Sequence, residues 1–122
     1  MRLAWIGVGR MGLAMATLAA RAGNAVYGYD IDATRLDALA AAGGRAAASM
    51  AEAIDEAEVV FTSLPDDRVL RAVALGPQGL VATLPEAAVF VETSTVSVGL
   101  SAEIATAAVA RGVDYLRMPV SG

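Results

Sequence analysis

The sequence contains no cysteine, no histidine and no lysine. Without cysteine there is no disulfide, no thiol nucleophile and no zinc–thiolate site. Without histidine the chain lacks the commonest general base and the commonest metal ligand, and no metal site is expected. All nine basic residues are arginine, which removes the proton-transfer and Schiff-base chemistry of lysine. Acid–base work would fall to Asp, Glu or Tyr. Aromatics make up only 5% of the chain, and the 57% apolar content is swollen by alanine. That balance predicts helices packed closely on a sheet rather than aromatic slabs. A net charge of −4 argues against a nucleic-acid partner or an anionic membrane surface. No apolar run approaches the roughly 20 residues of a membrane span, and the stretch before the first glycines is too short for a signal peptide. A soluble, cytoplasmic protein is the expectation. The 122 residues suffice for one domain and leave no room for two.

What is present alternates between strand and helix patterns. Leu3–Ile6 is an apolar strand that runs into Gly7. Met11, Met15, Leu18 and Ala22 then recur at helical spacing until Gly23-Asn24. Met11, Met15 and Met50 read as core filler. Ala25–Tyr29 is a second strand, and Asp32 caps a helix carrying Leu36, Leu39 and Ala40 that Gly43-Gly44 closes. A short third strand covers 45–48. Ser49 and Glu52 form a capping box for a helix through Ala57. Val59–Ser63 is β-branched and continuous, as expected of a strand buried on both faces. Pro65-Asp66-Asp67 opens a helix with Val69, Leu70 and Val73 inward. After a loop with one helical turn come a strand at 89–92, a helix capped by Ser97 or Ser101, and a strand at 113–116. Six strands alternating with helices predict an α/β fold, a doubly wound parallel sheet with right-handed crossovers.

Gly7-Val8-Gly9-Arg10-Met11-Gly12 matches G-x-G-x-x-G, directly after a buried strand and at the start of a helix. Gly7 permits the tight turn, Gly9 lets a diphosphate approach the backbone, and Gly12 lets helix and strand pack closely. The free amides and the helix dipole would face the diphosphate, and Arg10 could add a charge beside it. Asp30 stands 18 positions past Gly12 at the end of the second strand. A carboxylate there accepts ribose hydroxyls and repels a 2′-phosphate. Ile31 follows it where an arginine would rescue that phosphate, so NAD is favoured over NADP. Arg35, a helical turn away, softens the preference.

In an open parallel sheet, ligands sit beyond the carboxyl ends of the strands. That rim collects Gly7–Gly9, Asp30, Ser63-Leu64-Pro65, Glu92-Thr93-Ser94-Thr95 and Pro119-Val120-Ser121-Gly122. Leu64-Pro65 also reads as a plain strand-to-helix junction, and Thr93–Thr95 as helix caps. The sequence leaves Glu92 open between a buried and a surface acid.

In sequence order these segments resemble the β-hydroxyacid dehydrogenase family, which includes 3-hydroxyisobutyrate dehydrogenase and tartronate semialdehyde reductase and is related to 6-phosphogluconate dehydrogenase. The residues that carry the resemblance are Trp5–Gly12, Met15-Ala16, Gly23, Tyr29-Asp30, Ser63-Leu64-Pro65, Ser94-Thr95 and Pro119–Gly122. The resemblance implies a Rossmann-type domain over 1–122, incomplete at its C-terminal end, ahead of an all-helical C-terminal domain. It implies that Gly7, Val8, Gly9, Arg10, Met11 and Gly12 hold the pyrophosphate and that Asp30 and Ile31 flank the ribose. Leu64, Pro65, Val69 and Thr95 would line the path from adenosine to nicotinamide, and Ser121 and Gly122, with Thr95, would meet the substrate. The family reaction is hydride transfer between NAD(P) and a short 3-hydroxy acid, in enzymes expected to be homo-oligomers at full length. Its proton-transfer lysine lies past the last motif, so no catalytic residue is expected in this chain. Two features depart from the family pattern: Arg117-Met118 where an Asp-Ala pair is common, and Glu92 where Asp is common. Imine reductases, nucleotide-sensing modules and S-adenosylmethionine-dependent methyltransferases share parts of the pattern.

Overall fold

The computed structural model describes residues 1–119. Twelve elements alternate in it: β1 (Arg2–Ile6), α1 (Arg10–Arg21), β2 (Ala25–Tyr29), α2 (Ala33–Ala41), β3 (Arg45–Ala46), α3 (Met50–Ile54), β4 (Val59–Thr62), α4 (Asp67–Leu75), α5 (Leu80–Thr83), β5 (Val89–Glu92), α6 (Val98–Arg111) and β6 (Asp114–Arg117). The strands form one sheet in the order β3-β2-β1-β4-β5-β6, and every pairing is parallel. The order reverses between β1 and β4, and a crevice opens at such a reversal. This is the expected Rossmann-type sheet.

Register fixes what each face carries. Ala4, Ile6, Val60 and Phe90 point to one side, where Ile54 of α3, Leu70 of α4, Leu80 of α5 and Ile104 of α6 close over them. Leu3, Trp5 and Val26 point to the other, under Ala16 of α1 and Leu39 of α2. Each apolar side chain sealed this way contributes roughly 1.5–3 kcal/mol.

Local chemistry sets most helix starts. Asp32, Ser49, Asp66 and Ser97 each accept an amide from the first turn of α2, α3, α4 and α6. Ser97 is therefore the cap of α6. Ser101 is buried and hydrogen-bonded to the Tyr115 hydroxyl at 3.1 Å.

Several expectations are corrected. The buried residues of α1 are Gly12 and Ala16, while Met11 and Leu18 are 38% and 67% exposed. Met11 is thus not core filler. Small residues are selected on the buried face because α1 lies so close to β1: a Cβ on Gly12 would stand 2.3 Å from the Gly7 carbonyl oxygen. The helix α3 ends at Ile54 rather than Ala57, and β3 spans two residues. Strand β4 is only half-buried at Val59 and Phe61. Despite the low aromatic content, the Trp5 and Phe61 rings stack at 4.2 Å, and Phe90 meets Tyr115 edge-on at 5.1 Å.

Candidate dinucleotide site

The glycine loop turns sharply because the Gly7 amide completes the ladder to the Tyr29 carbonyl and its φ is +91°. A side chain there would be strained and would strike the Ser63 carbonyl oxygen, 2.1 Å from a built Cβ. Gly9 is different. It is the N-cap of α1 with ordinary extended backbone, and only the Arg35 guanidinium lies within 4 Å of a Cβ placed on it. No side chain caps α1. Its first-turn amides have no partner within the helix, and the positive end of its dipole opens toward the rim.

Asp30 is buried against this loop. One carboxylate oxygen accepts the Val8 amide and the other the Asp32 amide, both at 2.9 Å. Two amides fill only part of a carboxylate's acceptor capacity, which leaves lone pairs for further donors. Arg35 spans the corner, with Nη1 3.5 Å from Asp30 and Nε 3.7 Å from Asp32. The Thr34 hydroxyl and amide hold the Asp32 carboxyl below its ordinary value, with a smaller contribution from Arg35. The corner therefore carries two carboxylates against one guanidinium.

Beside it is a cleft of about 140 Å³. Its lining brings together Gly7, Asp30, Ile31, Leu64, Pro65 and Val69, all named from the sequence. Ile31 is 93% exposed at the mouth. Ser63 was placed on the rim from the sequence, whereas Ile6, Tyr29, Met50 and Val73 were not assigned to the site. Ile6 and Tyr29 adjoin predicted site residues in the chain, which is the signal that could have found them. Val8 contributes its amide, while its side chain is buried in the core under α1 and α2. Arg10 and Met11 are exposed on the first turn of α1, and Gly12 is buried beneath it. Thr95 is exposed on the turn after β5 and does not line the cleft. Ser121 and Gly122 lie outside the described residues.

The open acid is resolved: Glu92 is fully buried and hydrogen-bonded to the Thr62 hydroxyl and the Ser94 amide. Among the described residues there is no group of three or more acidic, histidine or cysteine side chains able to hold a metal ion. No helix among them is long and apolar enough to cross a membrane.

Comparison with known proteins gives a consistent result. The family model for the NAD binding domain of 6-phosphogluconate dehydrogenase matches residues 2–122. The chain is 31% identical over 121 residues to 2-(hydroxymethyl)glutarate dehydrogenase of Eubacterium barkeri, covering 99% of the chain and 40% of that protein. It is 36% identical over 121 residues to the NAD-dependent L-serine dehydrogenase of Pseudomonas aeruginosa, covering 99% of the chain and 41% of that protein. The solved 3-hydroxyisobutyrate dehydrogenase of Mycobacterium tuberculosis with L-serine superposes with a TM-score of 0.90 at 35% identity, over 98% of this chain and 40% of the other. The chain thus spans about two fifths of the length of the relatives it matches. A structure of Psf3 with NADP+ aligns at a TM-score of 0.92 and 26% identity, over 98% of this chain and 43% of the other. An imine reductase from Myxococcus stipitatus, 23% identical at a TM-score of 0.84, covers 94% of this chain and 39% of its own and shares the fold.

Proposed function

Because this chain belongs to the family of the NAD binding domain of 6-phosphogluconate dehydrogenase, we propose that it is the cofactor-binding part of an oxidoreductase. That enzyme moves a hydride between nicotinamide and a short 3-hydroxy acid and resembles 3-hydroxyisobutyrate dehydrogenase. One observation carries the reading: the strand-end carboxylate of Asp30 is docked on the glycine loop, 2.9 Å from the Val8 amide, beside an uncapped helix. The first-turn amides of α1, from Arg10 to Gly12, meet the diphosphate at its open N-terminus. Asp30 takes the ribose hydroxyls with its remaining lone pairs. Ile31, Leu64, Pro65 and Val69 enclose the adenosine. Thr95 stands on the nicotinamide and substrate side. When bound, the nicotinamide supplies or accepts the hydride. The residues of this chain bind and orient it, and none of them serves as the proton donor.

The same corner favours NAD. A 2′-phosphate would enter a site where Asp30 and Asp32 outweigh Arg35, and repulsion between like charges there costs affinity. The counter-observation is that Arg35 is about half exposed and free to turn toward such a phosphate. Residues 1–122 form one dinucleotide-binding domain of a longer, oligomeric enzyme whose partner is a small hydroxy acid.

The test is calorimetric titration with NADH, NADPH, S-adenosylmethionine and ATP. The expected outcome is binding of NADH about tenfold or more tighter than NADPH, with neither of the other ligands competing. Equal or tighter binding of NADPH would reverse the cofactor preference. Binding of S-adenosylmethionine in place of either nucleotide would overturn the function.

A further inference from the structure

The carboxyl of Glu92 is sealed at the carboxyl end of β5, on the sheet face it shares with Thr62 of β4 and Arg117 of β6. One of its oxygens takes the Ser94 amide and the other is hydrogen-bonded to the Thr62 hydroxyl. The Ser94 hydroxyl in turn accepts the Leu64 amide at 2.6 Å. Leu64 is a wall of the cleft, and its side chain presses against Gly7, with Cδ2 2.9 Å from where a Cβ would stand. A relay of hydrogen bonds therefore runs from a buried acid through Ser94 to the cleft wall. Neither Glu92 nor Ser94 lines the cleft.

We propose that Glu92 is a positioning residue for the dinucleotide site: through Ser94 it fixes the Ser63–Pro65 turn. One Glu92 oxygen accepts from the Ser94 amide and the other from the Thr62 hydroxyl, so both oxygens of the group are satisfied. Burial pushes the Glu92 carboxyl above its ordinary value, opposed by its bonds to Thr62 and Ser94 and, more weakly, by Arg117. The groups that act on it are the Thr62 hydroxyl on β4, Ser94, and Arg117 of β6; burial and, more weakly, Glu92 in turn raise the Tyr115 hydroxyl.

The proposal rests on the reading that the cleft takes NAD(H). Its test is the dissociation constant of NADH, by fluorescence titration, for the unaltered protein, E92Q, E92A and S94A. Gln offers the same acceptor to Ser94 and keeps a hydrogen bond to Thr62, so E92Q keeps the affinity of the unaltered protein. S94A and E92A weaken NADH about tenfold. E92Q as weak as E92A would overturn the proposal, as would S94A binding NADH with unchanged affinity. Should E92A fail to fold, S94A and the affinity kept by E92Q still decide. Failure of the unaltered protein to bind NADH is a different outcome: it removes the reading beneath the proposal.

Discussion

Gly7 and Gly9 sit two residues apart in one loop yet answer to different constraints, and substitution separates them. Alanine at Gly7 combines a φ of +91° with a Cβ 2.1 Å from the Ser63 carbonyl oxygen. G7A is expected to lower the stability by at least about 2 kcal/mol, read by urea unfolding. Alanine at Gly9 meets nothing nearer than the Arg35 guanidinium at 3.7 Å and has an accessible backbone conformation. G9A should therefore unfold within about 0.5 kcal/mol of the unaltered protein. Its methyl group would nevertheless stand where the diphosphate approaches, weakening NADH about tenfold. A G9A protein that binds NADH normally would show that the ligand does not approach along that edge. Asp30 combines both roles. In D30A the buried Val8 amide loses its acceptor, a loss of about 1–3 kcal/mol. The same change removes a negative charge and should move the NADH-to-NADPH affinity ratio toward NADPH, measured by paired titrations.

The helix caps show how local signals become structure, and also where they stop. Asp32 and Ser49 were legible in the sequence because a cap needs only its own next two or three residues. The parallel α/β sheet and the rim of polar turns followed from alternation and strand polarity. The buried face of α1 was not legible from periodicity, because hydrophobicity weights Met11 and Leu18 above Gly12 and Ala16. Close approach of helix to sheet selects the smaller pair. The Glu92–Thr62 pairing was hidden for another reason: it depends on β4–β5 register, which sets residues 30 apart side by side. Asp67 is a similar case. It lies in the first turn of α4 and accepts the Ser97 amide at the start of α6, at 2.9 Å, so it ties two elements together. The Ser97 hydroxyl and amide hold its carboxyl below the ordinary value of 3.8, Arg71 adding a smaller pull. A depressed value contributes stability that is present above pH 3.8 and lost as pH falls through the lowered value. Asp32, held down by Thr34, has the same sign. Glu92 has the opposite one: raised by burial, it carries no penalty at low pH and destabilises as pH rises through its raised value. In D67N the amide oxygen still accepts the Ser97 amide, so neutral stability changes little. Its loss of stability on going from about pH 5 to 3 should be shallower than that of the unaltered protein, by urea unfolding at each pH. Parallel curves for the two proteins would mean that Asp67 has the same proton affinity folded and unfolded.

The sheet is covered unevenly, and this has consequences for the protein as a body. Helices α3, α4, α5 and α6 close one face from β1 to β6, whereas α1 and α2 cover the other only over β1, β2 and β3. On that second face, register aligns Trp5, Phe61, Val91 and Leu116 in one row across four strands. Cover along the row is uneven: Trp5 and Val91 are buried, Phe61 is half-buried and Leu116, on the edge strand β6, is 53% exposed. Val59 and Val89 flank the row and are also half-buried. A large apolar side chain exposed on an edge strand attracts another surface or another strand. A polypeptide of these 122 residues alone is therefore expected to enhance the fluorescence of an apolar dye and to self-associate in sedimentation velocity as its concentration rises. Replacing Leu116 by Lys puts a solvated charge at the outer end of the row without disturbing the stacked Trp5–Phe61 pair inside it. L116K should reduce both dye binding and association. The fluorescence of Trp5, the one tryptophan in the chain, should stay unchanged, because its buried, stacked setting is not altered. Association that persists undiminished in L116K, with Trp5 fluorescence unmoved, would place the contact elsewhere, on the exposed side of α1 that carries Met11 and Leu18.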